Sequence, residues 1–507
     1  MTRDHSKLRK RQHTVRRALV LHGDNLSQRV VHGASFTLLG IALRTLITLG
    51  SVSILARLLS PADFGYMTMA LVITELAALF GNFGFASVLI QKRVITRLQM
   101  DTVFWSSAML GLLLTISVFG LSYLAAWLFG EPMPGQLMRI MCLTFVIDGL
   151  AVVHGALISR LMHFHADFWI QILSVAFRTA TAIVFAWQGF GVWSLAIGAL
   201  AGSILRVLLS VFVIPYWPRL KFNGRYLLST WKTNSGYFAS GLLFYIQMNV
   251  DLLLVGRALG ATPLGYYQNA RSLTDEVRAR ISFPLQRILF PAFSSLQENT
   301  AWLQTSVLRS GRLLAAIVFP VGIGIAAIAG ELVPILYGEK WLAMIPLLKF
   351  LGINTALRGS TAIATPLFNA KNKVGLALRY HFVDAIIVIV VVSVASAWGI
   401  EVVAGAVTMC GLYSLLTYRV GLGLIGLGWR AVWTVLSPPV FASISMWIAI
   451  EVARTFVTGH WAAAAGLVLH ILLGMIVYLV TLALIAPIFL TEIKEVFDKF
   501  RQKSPQA

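Results

Sequence analysis

Fourteen apolar runs follow one another through this chain with only short interruptions, and most are as long as the roughly 20 residues a helix needs to cross a hydrocarbon core. They fall at about residues 36–58, 64–90, 102–128, 137–158, 168–187, 190–213, 237–259, 265–296, 312–336, 344–369, 377–398, 401–424, 430–452 and 463–489. Of the 507 residues, 58% are hydrophobic and 12% charged; a soluble domain carries about twice that share of charge. The mean hydropathy is +0.80. Backbone polar groups in lipid must be satisfied within their own segment, so such runs fold as helices. The chain reads as an all-α polytopic membrane protein with about fourteen transmembrane helices. No stretch is long and polar enough to form a separate soluble domain. The eighth run is the weakest, because it carries many charges.

The net charge of +21 would suit nucleic acid, but its placement argues otherwise. Eight basic residues lie in 1–32, four in 491–507 and fifteen in alternate loops, about 27 of the 41. The intervening loops are short and rich in Gly, Pro and acid. This asymmetry is the positive-inside pattern, with attraction to anionic lipid headgroups. It puts both termini in the cytoplasm, which requires an even number of spans. No nucleic-acid partner is expected. Cys142 and Cys410 sit in apolar runs, where they simply pack. His163 and His165 read as a solvated loop pair without further metal ligands.

An internal repeat sets the organisation. Residues 56–70, ARLLSPADFGYMTMA, return as 256–270, GRALGATPLGYYQNA, sharing Arg57/Arg257, Leu59/Leu259, Gly65/Gly265, Tyr66/Tyr266 and Ala70/Ala270. Each copy is expected to be a helix–loop–helix corner with Pro61 or Pro263 in the turn. A second pair of landmarks, Leu128–Glu131 and Leu336–Glu339, is offset by 208. Six spans separate equivalent helices, so the repeats are parallel about an axis along the membrane normal. The expected organisation is a basic cytoplasmic tail at 1–35, a six-helix bundle at 36–213 and a hinge-like cytoplasmic linker at 214–234. A second six-helix bundle follows at 235–425, then two further helices at 426–490 and a basic tail at 491–507. The linker is expected to hold an interfacial helix, with Trp217, Tyr226 and Trp231 at headgroup depth.

Ionisable groups at bilayer depth are costly and face protein or water. Arginines at depth outnumber acids: Arg44, Arg178, Arg206, Arg271, Arg278, Arg280, Arg287 and Arg358 against Glu75, Asp148, Asp251, Asp275, Glu276 and Asp384. The surplus suggests a cationic cavity between the bundles. Arginine keeps its charge when buried and meets phosphate with a planar fork of donors, so a pyrophosphate headgroup is the natural ligand. Arg206 and Arg287 are near enough to an interface to snorkel. Asp275 and Glu276 are spaced to neutralise Arg278 and Arg280. Arg44, Arg178, Arg271 and Arg358 are read as having no acid within a turn of their own helix. They are therefore the candidate substrate-binding residues, with structural pairing the alternative. Asp251 and Asp384 are candidates for a coupling cation, Na+ or H+, and pairing with an arginine is an equally economical role for them. No P-loop, zinc-protease, nucleophile-elbow or Rossmann pattern occurs, so no enzyme activity, metal or cofactor is expected.

The two six-helix repeats, the corner LARLLSPADFGYMTMA and the phrase FGNFGFASVLIQKR resemble the polysaccharide-transporter branch of the multidrug/oligosaccharidyl-lipid/polysaccharide exporter superfamily. Leu59, Pro61, Asp63, Phe64, Gly65 and Tyr66 carry the most specific part, and the resemblance runs over about 33–490. It is similar to the Wzx-type flippases. The resemblance implies a multi-pass protein of the bacterial inner membrane. Its implied cargo is an undecaprenyl-diphosphate-linked oligosaccharide, moved by alternating access for exopolysaccharide, capsule or O-antigen export. Glycosyltransferases and a polysaccharide polymerase are the implied protein partners. Some superfamily members hold a cation on helices seven and eleven, where only Asp251 and Asp384 match. Two rival readings remain, a drug/cation antiporter of the same superfamily and a non-transporting scaffold of the polysaccharide assembly complex.

Overall fold

Helices stand at all fourteen predicted runs in the computed structural model, which describes residues 26–81, 85–456, 463–489 and 491–492. The basic tail before residue 26 and that after residue 492 lie outside the described residues. Among the described residues, twelve helices are long and apolar enough to cross a membrane. The runs at positions eight and ten do not meet that measure. The helix at position eight, Ala261–Ser295, is 35 residues long but carries charges throughout. At position ten, Met344–Ser360 is only 17 residues, and the helix restarts as Ala364–Ala370. Elsewhere large apolar side chains face outward. Ala464–Ile485 has a mean hydropathy of 2.6 and buries only 22% of its most apolar window, an exposure that suits lipid and not water.

The chain divides into two compact units, Met1–Asn249 and Val250–Ala507. The first contains α1 (Leu26–Leu58), α2 (Pro61–Gly81), α3 (Phe85–Gln91), α4 (Arg97–Phe129), α5 (Pro132–Met141), α6 (Leu143–Arg160), α7 (Phe164–Trp187) and α8 (Trp193–Val213). The division falls inside α9 (Gly224–Leu259). One core of this unit gathers Met67, Ala70, Val118, Leu137, Met138, Cys142 and Ala196 from α2, α4, α5 and α8. Both cysteines are buried and free.

The second unit continues with α10 (Ala261–Ser295), α11 (Thr300–Ala327), α12 (Ala329–Leu336), α13 (Met344–Ser360), α14 (Ala364–Ala370), α15 (Val374–Ala395), α16 (Ile400–Gly411), α17 (Tyr413–Gly423), α18 (Trp429–Phe456) and α19 (Ala463–Ile485). Its main core joins Leu303, Val307 and Leu314 of α11 to Ile363, Leu367 and Phe368 around α14, and to Tyr418 and Val435. The last two helices dock on α11. Tyr478 donates to the Ala316 carbonyl at 2.9 Å, and Arg312 forms an ion pair with buried Glu492.

The two landmarks of the repeat meet inside each unit. Tyr66 reaches Glu131 at 3.5 Å in the first, and Tyr266 donates to the Lys340 carbonyl at 3.1 Å in the second. The glycines beside them, Gly130 and Gly338, have φ of 68° and 90°, a left-handed conformation that only glycine adopts at little cost. The corner prolines open helices instead of sitting in the turn. Pro61 is the first residue of α2 and Pro263 lies in the first turn of α10, where the missing N–H has no partner to lose. The Asp63 carboxylate closes the first corner by accepting from Ser60 N at 2.9 Å and Ser60 Oγ at 2.7 Å.

Two basic or linking segments do more than face water. Arg160, one of the fifteen basic residues counted in the alternate, cytoplasmic loops, is 3% exposed. It donates to the carbonyls of Leu89 at 2.8 Å and Arg93 at 2.9 Å, and also serves Ile90 and Lys92. It thus satisfies carbonyls at the end of α3 that have no helical partner. Arg160→Ala is expected to cost about 2–4 kcal/mol by stranding several buried acceptors. Unfolding in detergent measures this, and a variant as stable as the parent would remove the role. Residues 214–223 form a strap held to the start of α4. Tyr216 donates to buried Asp101, whose Oδ1 also accepts from Arg219 N at 3.1 Å, and Trp105 Nε1 donates to the Arg219 carbonyl at 2.9 Å. Burial, then the bond to Asp101, raises the Tyr216 pKa, so the phenol remains a donor. Trp217 is exposed. From Gly224 the segment is already helix. The side chains of Tyr226 and Trp231 lie outside the described residues.

Candidate functional site

Four helices of the first unit surround a cleft of about 680 Å³. Arg44 enters from α1, Asp148 from α6, Asp167, Gln171, Ser174 and Arg178 from α7, and Ser203 and Arg206 from α8. The α7 residues are spaced 4, 3 and 4 apart, which places them on one helical face. Two glycines set the wall. A methyl group on Gly202 of α8 would stand 2.8 Å from Cβ of Arg178, and one on Gly40 of α1 would stand 3.1 Å from the Phe168 ring. Their missing side chains let α8 and α1 lie close against α7 at the level of the polar stripe.

The charges in this cleft are unevenly compensated. Arg206 is paired with Asp148, and both remain substantially exposed. Its expected role at an interface is therefore replaced by a place in the cleft wall. Arg44 donates Nε to the Gly40 carbonyl at 3.2 Å and NH1 to the neutral amide oxygen of Gln171. That amide in turn donates to Asp167 Oδ2 at 2.6 Å. Arg178 forms no ion pair among the described residues, and Glu75, on the adjoining pocket, attracts it only from farther away. Two candidate arginines of this unit thus keep guanidinium groups that no carboxylate grips among the described residues.

The second unit is different. Arg271 of α10 donates NH1 to Asp251 Oδ1 at 2.8 Å and Nε to Asp275 Oδ2 at 3.2 Å. Tyr267 donates to the other Asp251 oxygen at 2.8 Å. Arg278 meets Asp275 at 2.9 Å, and Arg280 is paired with Glu276, as their spacing indicates. Arg358 of α13 forks onto Asp384 of α15 at 2.9 and 3.1 Å and donates Nε to Asn354 at 3.3 Å. Asp251 and Asp384 are each 6% exposed. Charges this deep persist where they are paired and hydrogen-bonded.

The reading that all four arginines lack an acid within a turn is corrected here for Arg271, since Asp275 stands one turn later on the same helix. The two candidate cation ligands are the carboxylates that hold Arg271 and Arg358. Sequence reasoning missed Asp167, Gln171, Ser174 and Ser203. The 4-3-4 polar stripe in an otherwise apolar run was the signal for the first three. His165 accepts from Trp169 Nε1 at 3.2 Å.

Known proteins resemble the chain in sequence and in fold. A family profile described as polysaccharide biosynthesis protein matches residues 54–346, more than half of the chain. The lipopolysaccharide biosynthesis protein WzxC of Escherichia coli is 25% identical over 404 residues, covering 78% of this chain and 81% of that one. The succinoglycan biosynthesis transport protein ExoT of Rhizobium meliloti is 25% identical over 307 residues, covering 61% of this chain and 62% of that one. Among solved structures, the lipid II flippase MurJ in an inward closed conformation matches with a TM-score of 0.71 at 15% identity, over 90% of this chain and 98% of that one. This last likeness establishes the fold.

Proposed function

Since the chain belongs to the polysaccharide biosynthesis protein family, we propose that it is a flippase carrying an undecaprenyl-diphosphate-linked oligosaccharide across the bacterial inner membrane for polysaccharide export, with both termini cytoplasmic. ExoT, named as a succinoglycan biosynthesis transport protein, supports transport over a scaffolding role. The observation that carries the cargo is the pair Arg44 and Arg178 on one open cleft, neither gripped by a carboxylate among the described residues. A guanidinium fork without a bound acid is a ready diphosphate site.

Arg271 and Arg358 would have to leave Asp251 and Asp384 before meeting an anion, so the first contact with the diphosphate belongs to the first unit. The pairs in the second unit hold its fold in the resting state. A coupling cation at Asp251 or Asp384 would compete with an arginine already there. A cationic drug would meet the same obstacle, which disfavours the antiporter reading. The two six-helix bundles of the repeat are taken to move against each other about the 214–234 link. Anionic lipids meet the basic loops, and glycosyltransferases and a polymerase supply and take the cargo.

Deleting the gene in its host tests this reading. Lipid-linked oligosaccharide is expected to accumulate in the cytoplasmic leaflet while surface polysaccharide disappears, and the restored gene should reverse both. Undiminished export without accumulation would contradict it.

A further inference from the structure

We propose that the face of α7 bearing Asp167, Gln171 and Ser174 is a sugar-hydroxyl subsite that takes the first sugar of the lipid-linked glycan, beside a diphosphate held by Arg44 and Arg178. This rests on the flippase reading and adds to it the part of the cargo that is recognised. Three observations carry it. The cleft of about 680 Å³ has the size of a small-molecule site, roughly 300–1,000 Å³. One wall is a polar stripe whose members differ in chemistry: a carboxylate, an amide and a hydroxyl. Ser174 lines this cleft and is only 7% exposed, yet among the described residues its Oγ has no hydrogen-bond partner. Buried hydroxyls are almost always satisfied, so an unpaired one at a cavity wall calls for a ligand.

The geometry divides the ligand. Arg178 lies one turn beyond Ser174, about 6 Å along the helix axis, and takes the anion. Asp167 lies one turn before Gln171. One of its oxygens accepts from Gln171, and the other, without a hydrogen-bond partner among the described residues, takes hydroxyl donors of a sugar. Arg44 bonds to Gln171, so the amide links the anion-binding end to the sugar-binding end. A sugar hydroxyl both donates and accepts, which matches a carboxylate on one side and a serine hydroxyl on the other. The Arg206–Asp148 pair faces the same cleft from the opposite helices.

The test compares the affinities of the purified full chain for undecaprenyl diphosphate and for the same lipid carrying one glucose or one galactose. The parent is expected to bind at least one hexose-bearing lipid about tenfold more tightly than the bare diphosphate, the worth of one or two hydrogen bonds. Ser174→Ala, which barely changes side-chain volume, and Asp167→Asn should each reduce that preference severalfold, and Ser174→Ala should leave the affinity for bare diphosphate alone. Arg178→Ala should weaken all three lipids together and keep the preference. A parent with no preference for either hexose, or a preference that survives both Ser174→Ala and Asp167→Asn, overturns the subsite. Unchanged binding of bare diphosphate by Arg178→Ala instead overturns the diphosphate reading beneath it.

Discussion

Arg178→Ala is expected to abolish most polysaccharide export while leaving the protein folded and present in the membrane at normal levels. The expectation follows from what Arg178 does and does not touch. It makes no ion pair among the described residues, so its removal strands no carboxylate in direct contact. It lines the cleft, so its removal takes away the donor fork proposed to meet the diphosphate. Charge-assisted hydrogen bonds contribute about 1.5–3 kcal/mol each. One lost bond corresponds to roughly 10- to 100-fold weaker binding. Arg178→Lys should restore only part, because an ammonium keeps the charge and loses the planar fork. Quantifying surface polysaccharide and membrane-embedded protein together checks this. Full export by Arg178→Ala at normal protein levels would show that the cargo is held elsewhere.

The opposite outcome is expected at Arg358. Arg358→Ala removes both hydrogen bonds to Asp384 and leaves a carboxylate that is 6% exposed without its main partner. Breaking a buried pair from one side costs about 3–5 kcal/mol, more than the pair itself contributes over an apolar replacement. The variant should therefore unfold at markedly lower temperature in detergent and be recovered in low yield. The double substitution Arg358→Met with Asp384→Leu should regain most of that loss, because no charge remains to be solvated. Thermal unfolding of the parent, the single and the double variant separates the effects. A single variant of parental stability that exports nothing would move Arg358 from the fold to the transport site. The same logic applies to Arg271, whose removal takes the ion pair from buried Asp251, while Asp275 keeps Arg278.

The contrast between these residues explains what could be read from the chain alone. The spans were legible because crossing lipid demands apolarity along every run, and that demand is written locally. The repeat was legible for a related reason. Gly130 and Gly338 need a backbone that other residues avoid, and Tyr66 and Tyr266 each reach toward the second landmark of their own unit. Pairing was legible only within a helix. Arg280 with Glu276, Arg278 with Asp275, and Arg271 with Asp275 all follow from a spacing of three or four. Arg358 meets Asp384 across α13 and α15, and Arg271 meets Asp251 across α10 and α9. Those contacts depend on which helices are neighbours, which no spacing records. Arg160 misled for the same reason. It counts as a cytoplasmic-loop charge, whereas the fold turns it inward onto four carbonyls of another segment. The polar stripe on α7 was present in the spacing but weak, since two of its members carry no charge.

The most direct test of the account measures transbilayer movement of a fluorescent undecaprenyl-diphosphate-linked oligosaccharide in vesicles containing the purified protein. The parent should move the lipid, and a variant with both Arg44 and Arg178 replaced by alanine should move it at least tenfold more slowly while remaining folded. Movement at the parental rate by that double variant would contradict the claim that the uncompensated arginines of the first unit hold the diphosphate.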